Sequence, residues 1–387
     1  MFEILTINRI SKTGLARFPA DRYRIGEQSA DPDAILVRSA PLHDREINGR
    51  LKAVGRAGAG VNNIPVARLS ERGIPVFNTP GANANAVKEL VVAGLVLGAR
   101  HLARGWLFAR DLPGSDEDIH QAIEAGKKDF AGFELTGRTL GVIGLGAIGR
   151  LVANAAVALG MKVIGADPGL TIEGAWQLSA DVRRANSLDE LLRASDFVTL
   201  HLPLSAATRH LISAERRAIL KPGVVLLNFS REGIVDDAAL AAALERGHVG
   251  AYVTDFPSAR TKNHPRVTAL PHLGASTAEA EENSATMVVD EIREFLEHGN
   301  IRNAVNFPDV SVPRATPHRI VVANANVPAM LSQISDALGQ AGLNIHDMVN
   351  MSKGELAYTV VDLDAPVPAD IAARIGDIKG VLMTRVV

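Results

Sequence analysis

The chain has 387 residues, 47% hydrophobic and only 4% aromatic, so its cores must be aliphatic and its length exceeds one ordinary domain of ~100–200 residues. A formal net charge of −2 with no dense Lys/Arg run gives no support for a nucleic-acid partner, although a small-anion pocket needs only a few cations. Cysteine is absent, which excludes disulfides, cysteine-held zinc and thiol catalysis.

Residues 1–9 carry Glu3 and lack the basic start and apolar core of a signal peptide. The longest apolar runs, such as 90–99, fall well short of the ~20 residues of a membrane span. A soluble cytoplasmic protein is expected, with no membrane partner.

Residues 4–7, 34–37, 53–54 and 76–77 read as strands, several followed by turns such as Gly58-Ala59-Gly60 and Asn78-Thr79-Pro80-Gly81. This is the rhythm of a parallel α/β sheet. Residues 84–101 read as an apolar helix, buried on most sides. Strands at 140–143, 162–166, 197–200, 224–228, 251–254 and 267–269 make a complete doubly wound unit. A helix at 278–297 can return the chain to the first unit. Pro308, Pro313 and Pro317 mark 303–317 as a linker. Strand 319–323, helix 329–341, strands 344–350 and 357–363, helix 369–378 and strand 381–387 follow. That is the βαββαβ order of a split ferredoxin-like unit, and the last strand is expected within a sheet.

Gly144-Leu145-Gly146-Ala147-Ile148-Gly149 is a GxGxxG run between an apolar strand and a helix. Gly144 would make the tight turn, Gly146 would admit a pyrophosphate, and Gly149 would let helix and strand pack closely. The phosphates would then meet the positive end of the helix. Asp167 ends the next strand, about 20 residues on, where a carboxylate can accept from ribose hydroxyls and repel an extra phosphate. This favours NAD over NADP as cofactor.

Oxidising a secondary alcohol by hydride transfer needs a base for the hydroxyl proton and a cation for the neighbouring carboxylate. Arg231, in Asn228-Phe229-Ser230-Arg231-Glu232-Gly233, stands just past a strand and could clamp a carboxylate; an ion pair with Glu232 or Asp236 is the plain reading. His272, in Pro271-His272-Leu273-Gly274-Ala275-Ser276-Thr277, also follows a strand, and His201 is its chief competitor. No His/Asp cluster has metal spacing.

These motifs, in this order, resemble those of the D-isomer-specific 2-hydroxyacid dehydrogenases over residues 1 to about 310. The resemblance implies two doubly wound Rossmann-like domains: a substrate domain at 1–93 and 281–312, and an NAD domain at 94–280. It implies His272 as acid/base and Arg231 as substrate-polarising cation. The cofactor set would be Gly144, Gly146, Ala147, Ile148, Gly149, Asp167, Phe229, Ser230, Thr254, Gly274, Ala275 and Ala59, joined by Arg231 and His272. The substrate loop would be Arg56-Ala57-Gly58-Ala59-Gly60, with Arg38 and Lys127 for a substrate phosphate. Members that oxidise 3-phosphoglycerate, the first step of the phosphorylated route to L-serine, are the nearest resemblance. Hydroxypyruvate, glyoxylate or another 2-hydroxy acid is the alternative substrate, and a non-enzymatic NAD-binding regulator the alternative role.

The βαββαβ unit, at 317–387, resembles the ACT amino-acid-sensing domain. Asn324, Asn326 and Asn344 match its ligand positions and imply L-serine as effector. Ala329 stands where Gly is usual, and Asn324 where His is, which leaves the effector open. A homodimer or homotetramer is implied. The usual acid partner of the catalytic His is also missing: Thr254 and Ala259 occupy the family's acidic positions. Asp255 is the nearest substitute, and a bulge or local shift is expected to turn it to the right face.

Overall fold

Four parallel pairings join the strands that open the chain, β1 (Phe2–Ile7), β2 (Tyr23–Gly26), β3 (Ala34–Val37), β4 (Ala53–Arg56) and β5 (Val76–Phe77), in the order β2-β1-β3-β4-β5. This is seen in a computed structural model that describes all of residues 1–387. The Ala278–His298 helix lies on this sheet. A Cβ on Gly55 of β4 would stand 2.5 Å from Val288 Cγ2, so glycine is what lets the helix approach. Ile4, Leu36 and Phe77 share a core there with Val288, Ile292 and Phe295. Strand β2 escaped the sequence reading because it is an edge strand with two exposed residues.

By contact the chain divides into two units, residues 1–82 with 278–387, and residues 83–277. The first boundary falls at the start of the Ala84–Arg100 helix, not at 93/94 as expected. That helix is uninterrupted, so a cut inside it would separate residues packed as one body.

The second unit holds β6 (Thr139–Ile143), β7 (Lys162–Ala166), β8 (Val182–Arg184), β9 (Phe197–Leu200), β10 (Val224–Asn228), β11 (Val249–Thr254) and β12 (Val267–Ala269). They form a parallel sheet in the order β12-β11-β10-β9-β6-β7-β8. Seven strands replace the six expected; β8 is a short, largely polar edge. The order reverses between β6 and β9, the place where α/β sheets open a crevice at their carboxyl ends. No helix of the chain is long and apolar enough to cross a membrane.

The C-terminal part of the first unit contains β13 (His318–Ala325), β14 (Ile345–Lys353), β15 (Leu356–Leu363) and β16 (Val381–Val386). Their antiparallel order, β14-β15-β13-β16, is that of a ferredoxin-like sheet. The last strand lies within this sheet, as expected, pairing with β13 along its edge. Side chains alternate along β13: Ile320 and Val322 face the Met330–Gln340 and Ala369–Gly376 helices, while Val321 and Ala323 join the core of the first sheet.

Residues 303–317, read as a linker, are irregular but packed. Phe307 is fully buried, and single bridges join Phe77 to Ala304 and Ile301 to Val310. Prolines break regular structure without preventing burial. Arg319 fixes this stretch from within. It is fully buried and grips Asp362 with two bonds of 2.6 and 2.8 Å. It also donates to the carbonyls of His298 at 2.9 Å, Val312 at 3.2 Å and Pro313 at 3.2 Å.

Candidate active site

The glycine turn after β6 sits at the reversal of the second sheet. Gly144 has φ 91°, and a Cβ there would meet the His201 carbonyl oxygen at 2.3 Å. A Cβ on Gly149 would stand 1.9 Å from the Gly144 carbonyl oxygen, whereas Gly146 faces open space. Gly146 caps the Ala147–Ala158 helix without any side-chain bond, so the amides of Ala147 and Ile148 keep their donors for an anion. Asp167 directly follows β7 and accepts from Leu145 N and Gly169 N, both at 2.8 Å. An open approach, orphan amides and a fixed carboxylate fit a dinucleotide.

Neighbouring turns are locked by their own side chains. Ser230 Oγ donates to Leu200 O at 2.6 Å and accepts from Leu202 N at 3.1 Å. Phe229 is buried against Gly94, where a Cβ would come within 2.8 Å of the ring. Thr254 is fully buried; its hydroxyl donates to Asn228 O at 2.8 Å and accepts from Phe256 N at 3.0 Å. The side chains of Phe229, Ser230 and Thr254 are thus spent on structure.

Strand β11 ends at Thr254, so alternation does not govern Asp255. No bulge is required: the bend held by the Thr254 hydroxyl carries Asp255 inward. Asp255 is 2% exposed, and neither carboxylate oxygen has a hydrogen-bond partner. Burial pushes its carboxyl above the usual range, while the charges of His272 and Arg231 and the Gly274 amide act against that. A Cβ on Gly274 would lie 3.7 Å from Asp255 Oδ2. His272 is exposed, its ring 4.6 Å from that of Phe256. The sequence reading missed Phe256; its adjacency to Asp255 was the available signal.

Arg231 is exposed and donates to Ser230 O at 2.6 Å. It pairs with neither Glu232 nor Asp236, since Asp236 instead caps the Asp237–Glu245 helix. Asn228 Nδ2 braces the turn by donating to Arg231 O at 3.0 Å. His201, the competitor, is held differently: burial pushes it down to about 3, and its Nε2 pairs with Thr199 Oγ1 at 3.0 Å. An imidazole that stays neutral near pH 7 cannot hold a proton between steps.

Residues 105–274 match the model of the D-isomer specific 2-hydroxyacid dehydrogenase NAD-binding domain. A D-3-phosphoglycerate dehydrogenase of Escherichia coli is 32% identical over 359 residues, 89% of this chain and 84% of that protein. The chain belongs to the D-isomer specific 2-hydroxyacid dehydrogenase family. One from Methanocaldococcus jannaschii is 38% identical over 293 residues, 73% of this chain; the chain spans 53% of that longer relative. A glyoxylate reductase structure from Paecilomyes thermophila aligns with a TM-score of 0.63 at 27% identity, covering 79% of this chain and 98% of that one.

The first unit carries the loop after β4. Arg56 braces it, donating to Arg38 O at 2.9 Å, to Gly60 O and to Asn62 Oδ1 at 3.3 Å. Ala57 N and Gly58 N are used, bonding to Val37 O and Arg56 O at 2.9 Å each. The amides of Ala59 and Gly60 are left free. Arg38 pairs with Glu281 at 2.8 Å. In the second unit Lys127 pairs with Glu124.

The C-terminal asparagines are also engaged. Asn324 donates to Ala325 O at 2.7 Å, Asn326 to Gly354 O at 3.1 Å and Asn344 to Asp364 Oδ2 at 2.6 Å. Asn324 Oδ1 is buried without a partner. Ala329 has φ 63°, which explains why glycine is usual at this position.

Proposed function

We propose that this chain oxidises D-3-phosphoglycerate to 3-phosphohydroxypyruvate with NAD, opening the phosphorylated route to L-serine. The observation that carries the reading is the set of residues just past the ends of β10, β11 and β12: Arg231 without an acid partner, Asp255 buried without a bond, and His272 exposed. NAD, when bound, supplies the hydride acceptor. Its pyrophosphate would rest on the Ala147 and Ile148 amides and its adenosine ribose on Asp167. His272 takes the hydroxyl proton. Asp255 orients the imidazole and stabilises its cation. Arg231 holds and polarises the carboxylate. In the C-terminal unit, Asn324, Asn326 and Asn344 would form an ACT-type effector site for L-serine, in a cytoplasmic homodimer or homotetramer.

A second reading keeps the chemistry and changes the substrate to glyoxylate, hydroxypyruvate or another 2-hydroxy acid. It is favoured by Arg38 and Lys127, the cations expected for a phosphate, each being engaged by a glutamate. Initial rates of NADH formation from 3-phosphoglycerate, with NAD, with NADP and with added serine, test the proposal. Turnover with NAD that serine inhibits supports it in full. Turnover only with unphosphorylated acids would move the assignment to the second reading. Tight NADH binding with no turnover on any of them would leave a regulator.

A further inference from the structure

In the first unit a cleft of about 480 Å³ lies between residues 49–52, residues 71–74 and the edge strand β16. Arg50, Lys52, Arg72 and Arg385 line it, and Glu71 is its one lining carboxylate. Asp33, fully buried beside the cleft, is shared by two of these cations: Arg50 at 2.7 Å and Lys52 at 2.5 Å. Arg72 donates only to the carbonyls of Ile47 and Asn48.

Arg385 is the least compensated of the four. Its guanidinium bonds to the carbonyls of Phe295 and Leu296 and sits 4.4 Å from the centre of the Phe295 ring. No carboxylate pairs with it, and its Nε is buried without an acceptor. Asp33, with Glu3 and Asp31 nearby, offsets Arg50 and Lys52, whereas Arg72 and Arg385 have only carbonyl partners. Buried charge left unpaired is costly and is relieved by a counter-ion.

We propose that this cleft binds a small molecule through a phosphoryl dianion. A phosphoryl dianion matches the two guanidiniums, Arg72 and Arg385, that no carboxylate engages, and it accepts bonds from several directions, as donors from three separate chain segments require. None of these residues belongs to the Asp255–His272 group or to the asparagine loops. Because β16 forms one wall and residues 49–52 and 71–74 the others, the ligand would tie the C-terminal unit to the edge of the first sheet. The site goes beyond the proposed reaction and does not depend on it.

The test is titration calorimetry of inorganic phosphate at fixed ionic strength into the full chain, without substrate, so that a protein inactive on 3-phosphoglycerate is still informative. Wild type is compared with Arg50→Gln/Arg72→Gln, with Arg231→Gln and with Arg38→Gln. Both cleft arginines are reached from solvent, and circular dichroism confirms that the double variant folds. The expected result is a site of about 1 mM or tighter, weakened about tenfold or more in the double variant and kept in the other two. Absence of phosphate binding in wild type, or loss in Arg231→Gln or Arg38→Gln with retention in the double variant, overturns the proposal. Succinate binding in place of phosphate overturns the phosphoryl assignment.

Discussion

Glu291, on the Ala278–His298 helix, gives the sharpest stability test. It is 6% exposed; Oε1 accepts from Asn303 Nδ2 at 2.6 Å, and Oε2 has no partner. Burial pushes its carboxyl from 4.5 up to about 8, opposed by the Asn303 bond and aided by the charges of Asp309 and Asp290. A folded-state value above the unfolded one means that the native state holds the proton more tightly. Stability is therefore full below 4.5 and is lost as pH climbs to about 8. At about 1.4 kcal/mol per pH unit, that span sets a ceiling near 5 kcal/mol. Glu291 lines a cavity of about 760 Å³, so water can reach it and the realised loss is expected at about 2 kcal/mol. Glu291→Gln keeps the acceptor for Asn303 and removes the charge. It should add about 2 kcal/mol near pH 8.5 and almost nothing near pH 5. Urea unfolding at both pH values, at constant ionic strength, measures the difference. An equal gain at both would show a packing effect, and a loss near pH 8.5 would show that the native carboxylate is paired after all.

Asp255→Asn should slow turnover about tenfold to a hundredfold and move the acid limb of the pH–rate profile to lower pH, because His272 loses the anion that favours its cation. It should also raise stability by about 1 kcal/mol, since an unbonded buried carboxylate is removed; an unchanged profile and rate would exclude the His272 pairing. Gly149→Ala puts a methyl group against the Gly144 carbonyl and should abolish NADH binding, read by fluorescence, with a stability loss of about 1–3 kcal/mol. Ala329→Gly relieves a left-handed alanine and should stabilise by about 0.5–1 kcal/mol in thermal melts, the gain reduced by glycine's freedom when unfolded. Arg319→Met leaves Asp362 buried and unpaired and should cost about 3–5 kcal/mol, with faster proteolysis around residues 310–317.

Strands rich in β-branched and aliphatic residues were legible from sequence: β7, β9, β10 and β12 have the predicted limits. The short edges β2 and β8 were not, because their exposed polar residues carry no such signal. Phe307 shows the same limit in reverse: a proline-rich context hid a core residue, since burial depends on what the chain meets in space. The glycines of the Gly144 turn were readable because their spacing encodes backbone approach. The inward turn of Asp255 was not, because it rests on where β11 stops and on the Thr254 hydroxyl. Nor could the sequence show that Glu281 and Glu124 engage Arg38 and Lys127.

The first core has a consequence for synthesis on the ribosome. Ile4 and Leu36 pack with Val288 and Phe295, and the same cluster takes Val321 and Tyr358. Everything from Asn83 to Thr277 must be translated in between. At about 5–20 residues per second, the opening strands wait on the order of 10–40 s for their covering helix. During that interval the second unit can fold on its own contacts, while β1, β3 and β4 expose apolar surface and unpaired edges. The nascent N-terminal segment is therefore the part of this protein most dependent on chaperone protection. Stalled chains ending near residue 277 should show it as protease-sensitive, and chains released at full length should not.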